Sequence, residues 1–139
     1  MRVLAIDWGE ARVGAAVSDE EGKIAFPLEQ FFETQNAIAE IIKIINELGI
    51  SLVLVGLPKN LAGKEEKSAV KLKVFVDNLS KAVKVPITLI DERFTSVEAT
   101  NRLRELGIKE KEQRGVKDNI AAQIMLQQYL DTKKARTAE

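Results

Sequence analysis

Leu52-Val53-Leu54-Val55 is the stretch that most narrows what this chain can fold into. It shows no polar alternation, so neither face of such a strand tolerates water. A short continuous apolar run of this kind suits a parallel strand buried on both faces. Ahead of it, Ile38, Ile41, Ile42, Ile45 and Leu48 recur with helical spacing and form a single apolar stripe. Thr34 is placed to cap that helix and Gly49 to stop it. Behind it, Gly56-Leu57-Pro58 closes the strand, and a polar loop runs to about Gly63. A second helix carries Leu72, Phe75, Val76, Leu79 and Val83, and Ile87-Thr88-Leu89-Ile90 reads as the next strand. Helix, buried strand, helix and strand in succession imply a sheet with helices on its faces.

The first third of the chain follows another rule. Strands over Arg2 to Trp8 and Arg12 to Ser18 are separated by only three residues, so they pair as an antiparallel hairpin. A turn at Asp19-Glu20-Glu21-Gly22 leads to a third strand from Lys23 to Phe32. Pro27 inside that strand argues for an edge position or a bulge. Towards the C-terminus, Thr95 and Glu98 form a capping box for a helix that stops near Gly107, and a last helix runs from about Asp118 to Lys133. The expectation is an α/β domain spanning 1–139, with a five-stranded mixed sheet flanked by helices and no internal repeat.

Composition removes several kinds of chemistry. With 139 residues, 45% hydrophobic and 30% charged, the chain is long enough for a real core and fits a soluble globular protein. No apolar stretch approaches the roughly 18 residues of a membrane span. Met1-Arg2 leads straight into a strand without the pattern of a signal peptide, so a cytoplasmic location is expected. There is no cysteine, hence no disulfide or thiolate metal site. There is no histidine either, which removes the usual general base and the usual zinc ligand. Catalysis would rest on carboxylates, amines, hydroxyls or a metal held by oxygen, and all-oxygen sites favour Mg²⁺ or Mn²⁺. Net charge is formally zero, so no global field points to nucleic acid.

Three acids stand where a ligand site would form. Asp7 ends the apolar run Val3-Leu4-Ala5-Ile6-Asp7, where a carboxylate is costly unless it caps a turn or meets a cation. Glu92 follows the fifth strand in Ile90-Asp91-Glu92-Arg93, and Asp118 opens the last helix. Ligands of open α/β sheets bind beyond the carboxyl ends of parallel strands. If the first, fourth and fifth strands are parallel neighbours, Asp7 and Glu92 emerge at one edge, within conceivable reach of Asp118. Two charges about 4 Å apart repel by roughly 4 kcal/mol at an effective dielectric of 20, and a divalent cation relieves that repulsion. Each acid also has a local role open to it. Asp118 suits a helix N-cap, Glu92 a surface pair with Arg93, and Asp7 a turn.

Four blocks carry a family resemblance. They are Asp7-Trp8-Gly9-Glu10-Ala11-Arg12-Val13-Gly14 with Ser18-Asp19, then Gly56-Leu57-Pro58-Lys59-Asn60-Leu61-Ala62-Gly63, then Asp91-Glu92-Arg93-Phe94-Thr95-Ser96, and last Asp118-Asn119-Ile120-Ala121-Ala122 with Tyr129-Leu130-Asp131. In this order they resemble the YqgF/RuvX family. The resemblance implies an RNase H-like fold. It also implies a nuclease, described either as maturing the 5′ end of pre-16S ribosomal RNA or as resolving Holliday junctions in branched DNA. It makes Asp7, Glu92 and Asp118 the catalytic, metal-binding triad for Mg²⁺ or Mn²⁺, with Asp91 a neighbour.

One departure is Lys117, where the family often has an apolar residue. Arg12, Lys59, Asn60, Arg93, Arg114 and Lys117 become candidates for contacting nucleic acid, either structured RNA in ribosomal precursor particles or branched DNA. Trp8 could stack on a base, though a core position suits it better. Gly9 and Gly14 suit close backbone approach. Two rival functions stand beside this one. The Asp7-x-Gly9 hairpin resembles the phosphate-binding opening of actin-like ATPases and sugar kinases, but those need a second lobe. A non-catalytic RNA- or ribosome-binding module is the other. Oligomeric state, metal number and endo- or exonucleolytic preference stay open at this level.

Overall fold

β1 (Arg2–Asp7) is the middle of the sheet because Val3, Leu4, Ala5 and Ile6 are all fully buried, which requires cover on both faces and both edges. The computed structural model describes residues 1–28, 32–57, 66–91 and 117–138. β2 (Arg12–Ser18) pairs antiparallel with β1, as the short connection dictates. β5 (Ile50–Leu57), which contains the continuous apolar run, pairs parallel with β1 on its other side. β6 (Ile87–Asp91) adds in parallel to β5.

The far edge differs from expectation. Instead of one strand from Lys23 to Phe32, β3 (Ala25–Pro27) and β4 (Phe32–Glu33) pair separately with β2. The described sheet therefore has six strands, ordered β3-β2-β1-β5-β6, with β4 also on β2. Pro27 stands opposite Ala16, where a missing N–H faces away from β2. One more bond follows, from the Leu28 N–H to the Ala15 carbonyl (3.0 Å), before the Ala15 N–H turns to Asn119.

Helices cover both faces. α1 (Ala37–Leu48) and α2 (Glu66–Ala82) lie over one, and α3 (Lys117–Ala138) over the other. On the first face, Leu4, Ile6, Val13, Val53 and Val55 pack with Ile41, Ile44, Leu72, Phe75 and Leu79. Each such side chain stabilises by about 1.5–3 kcal/mol relative to exposure. On the second face, Val3, Ala5, Ala16, Ala25, Leu52 and Leu54 meet Ala122, Met125, Leu126 and Leu130 of α3.

α1 ends as expected. Gly49 adopts the left-handed conformation (φ 65°) and its N–H donates to the Ile45 carbonyl. Its start is different, because Thr34 to Asn36 form a 3₁₀ turn and Asn36 occupies the N-cap without a side-chain bond. Thr34 serves the tertiary structure instead: its hydroxyl donates to the Gly9 carbonyl (2.6 Å) and its N–H to the Ala11 carbonyl (3.1 Å). The helix expected between Thr95 and Gly107 lies outside the described residues. No helix among the described residues is long and apolar enough to cross a membrane.

Candidate active site

Asp7 closes β1, and the register places a glycine on each side of it, Gly14 on β2 and Gly56 on β5. Side chains alternate along a strand. Val3 and Ala5 belong to the cluster under α3, so Asp7 projects on that same face. Neither neighbouring strand supplies a side chain at this level. β6 ends at Asp91, paired with Leu57 one residue beyond Gly56. The three parallel strands therefore deliver their carboxyl ends to one edge of the sheet, the position where α/β sheets bind ligands.

α3 approaches the same edge with its N-terminus. Asn119, fully buried, accepts a hydrogen bond from the Ala15 N–H at Oδ1 (2.8 Å) and donates from Nδ2 to the Leu28 carbonyl (2.8 Å). Ala15 pairs with Ile6, and Gly14, next to it, pairs with Asp7. The first turn of α3 is thus tied one residue from Asp7's cross-strand partner. Further along the helix, Gln127 accepts from the Ala25 N–H (2.9 Å) and donates to the Lys23 carbonyl (3.0 Å), and Gln123 donates to the Ala25 carbonyl (3.1 Å). α3 therefore runs away from the Asp7 edge, and its positive dipole end faces that edge, where anions are favoured.

The connection after Asp7 is tight. A Cβ on Gly9 would lie 2.7 Å from the Arg12 carbonyl oxygen, so only glycine fits, as the sequence suggested. Trp8 is buried and packs at a tilt against Phe75, with ring centroids 6.5 Å apart, so it is a core residue and no platform for a base. Lys71 of α2 approaches Glu10 of this turn at 3.6 Å, an exposed pair that contributes little to stability. Asp19, at the opposite end of β2, accepts from the backbone N–H groups of Lys23 (2.7 Å) and Ile24 (3.1 Å). Those donors, that of Lys23 foremost, hold its carboxyl below the ordinary aspartate range.

Of the residues singled out in the sequence, Asp7 stands at the sheet edge, Arg12 is exposed at the start of β2 opposite Glu33, and Lys117 and Asp118 are the first two residues of α3. Glu92, Lys59, Asn60, Arg93 and Arg114 lie outside the described residues. Among the described residues no three acidic side chains gather as a metal site. Asn119 was visible in the sequence only as part of a motif. The pattern that points to it is the four-residue spacing of Asn119, Gln123 and Gln127, three amides along one line of a helix.

Comparison with known proteins adds to this geometry. The RuvX family model, described as Holliday junction resolvase, matches residues 1–132. A Chloroflexus aurantiacus protein provisionally named pre-16S rRNA nuclease is 41% identical over 135 residues, covering 96% of this chain and 88% of the relative. A Fusobacterium nucleatum protein of the same name is 41% identical over 136 residues, covering 96% of this chain and 99% of the relative. Among solved structures, Thermus thermophilus RuvC superposes with a TM-score of 0.63 at 18% identity, over 97% of each chain. Fowlpox virus resolvase with Holliday junction DNA gives 0.57 at 10% identity, over 96% of this chain and 99% of that one. At such low identities these superpositions speak to the fold, and they bear out the RNase H-like architecture.

Proposed function

Because the chain belongs to the RuvX family, we propose that it acts as a single-domain, metal-dependent nuclease whose task is 5′-end maturation of pre-16S ribosomal RNA. One observation supports this reading above the rest. A carboxylate, Asp7, is held on a buried central strand between two glycines, at the edge that the N-terminus of α3 also reaches. The donor chemistry fits a hard cation, since the chain offers oxygen ligands and has neither histidine nor cysteine. Asp7, Glu92 and Asp118 would hold Mg²⁺ or Mn²⁺. A divalent ion there supplies a Lewis acid for the scissile phosphate and a nucleophile from water at neutral pH.

The protein's own contributions follow from its rigid parts. β1 fixes Asp7 because its ladder is bonded on both sides. Gly14 and Gly56 put no strand side chain beside Asp7. The positive end of α3 favours both the acids and the incoming phosphate. Arg12, exposed at the start of β2, is suited to the substrate backbone, with Lys59, Asn60, Arg93, Arg114 and Lys117 in the same role.

Cleavage of a pre-16S RNA fragment with Mg²⁺ or Mn²⁺ tests this reading. Asp7→Asn should slow it by about a thousandfold, since losing several kcal/mol of transition-state stabilisation costs a factor of ten per 1.36 kcal/mol. Cleavage by Asp7→Asn at the wild-type rate would refute the mechanism. The family model's description favours a second reading, resolution of four-way DNA junctions. Paired symmetric cuts in a junction by a dimer, with the RNA precursor left intact, would select it.

A further inference from the structure

We infer that Asn119 is a positioning residue of this site: its carboxamide sets where the first turn of α3, and with it Asp118, stands relative to Asp7. The inference rests on the nuclease reading above, in which Asp118 is a metal ligand. Three hydrogen bonds carry it. The Ala15 N–H donates to Asn119 Oδ1, Asn119 Nδ2 donates to the Leu28 carbonyl, and the Leu28 N–H donates to the Ala15 carbonyl (3.0 Å). The ring closes at Leu28, directly after Pro27 at the end of β3. The Asn119 amide therefore bridges the Ala15 N–H and the Leu28 carbonyl, which would otherwise complete the pair. It does so from the helix residue next to Asp118, against the strand residue next to Gly14, which pairs with Asp7.

The chemistry is selective for this residue type. The site needs one acceptor and one donor on a short planar group. An ionised aspartate cannot donate, leucine offers neither group, serine is too short to reach both partners, and glutamine is one methylene longer. Asn119 is fully buried and so is its bond to Ala15, so its loss leaves the Ala15 N–H without water to replace it. Groups that orient a metal ligand from behind typically change metal affinity by about 10–100-fold when removed. Gln127 is the internal control. It makes amide-to-backbone bonds of the same kind from the same helix, to Ala25 and Lys23, two turns further from Asp7.

The test is Mn²⁺ binding without nucleic acid, by titration calorimetry, on wild type, Asn119→Leu, Gln127→Leu and Asp118→Asn, each checked for folding by circular dichroism. Asn119→Leu should bind Mn²⁺ at least about tenfold more weakly, and Gln127→Leu within about twofold of wild type. The half-saturating Mg²⁺ concentration for cleavage should shift in parallel, with most of the rate recovered at saturating Mg²⁺. Should Asn119→Leu not fold, Asn119→Ser is measured in the same way. Wild-type affinity in the Asn119 variants together with weakened binding in Asp118→Asn overturns the positioning role and leaves the triad standing. Wild-type affinity in Asp118→Asn overturns the triad assignment and the positioning role together.

Discussion

The two faces of the sheet are built on different principles. Under α1 and α2, large side chains fill the space: Leu4, Ile6, Val53 and Val55 against Ile41, Leu72, Phe75 and Leu79. Such packing is strong but undirected, because apolar contacts have little orientation to enforce. Under α3 the sheet mixes Val3, Leu52 and Leu54 with the small Ala5, Ala16 and Ala25, and Asn119, Gln123 and Gln127 fasten the helix to strand backbone. Hydrogen bonds do enforce direction. Both faces bury apolar side chains, but only the α3 face adds these directed amide bonds, and Asp7 projects on that face. The amides also cover the free backbone groups of a sheet edge that would otherwise invite pairing with another chain.

This contrast can be broken by substitution. Asp7→Asn should have the largest effect, the thousandfold loss of cleavage already described, with stability unchanged or raised. A measured drop in the urea midpoint would mean that Asp7 is structural. Leu79→Ala, in the fully buried packing face, should destabilise by about 2–5 kcal/mol in urea unfolding. The fraction still folded should keep its wild-type Mg²⁺ requirement, and a shifted requirement would show that the faces are coupled. Ala16→Leu, on the α3 face, should cost about 1–3 kcal/mol by overpacking. Unlike Leu79→Ala, it should also raise the Mg²⁺ concentration needed, because it pushes α3 off the sheet.

The smallest effect belongs to Asp19, whose charge is met by local backbone donors at the end of β2 away from Asp7. Its lowered pKa means that the folded state favours the ionised form, so its stabilisation is full near neutral pH. That stabilisation is lost as pH falls through the depressed value, below about pH 4. Asp19→Asn should thus be slightly less stable than wild type at pH 7, with the gap closing in acid. A gap that widens in acid would contradict the assignment.

Much of this was legible along the chain, and the exceptions share a cause. The hairpin, the parallel β5, the αL stop at Gly49 and the edge position of the Pro27 strand follow from neighbours within a few residues. Thr34 was expected to cap α1, as its spacing suggests, but a bond to Gly9 competes for the same hydroxyl. Ile44 fell outside the expected stripe, yet it is buried because α1 meets the sheet over a wider arc than one line of residues. Asp7 was conspicuous as an acid ending an apolar run, and Gly14 as a site of close backbone approach, but the pairing of Gly14 and Gly56 with Asp7 was not visible.

By itself, then, the sequence determined the order of elements, which stretches must be buried, the absence of histidine and cysteine chemistry and the acid that ends its first strand. Those properties depend on local periodicity and on residue type. Only the tertiary structure decided that Gly14 and Gly56 flank Asp7, that the edge strand breaks into two, and that Asn119 bonds to Ala15 across 104 residues. Register and long-range hydrogen bonds are relations between distant segments, and they exist only once the sheet has assembled.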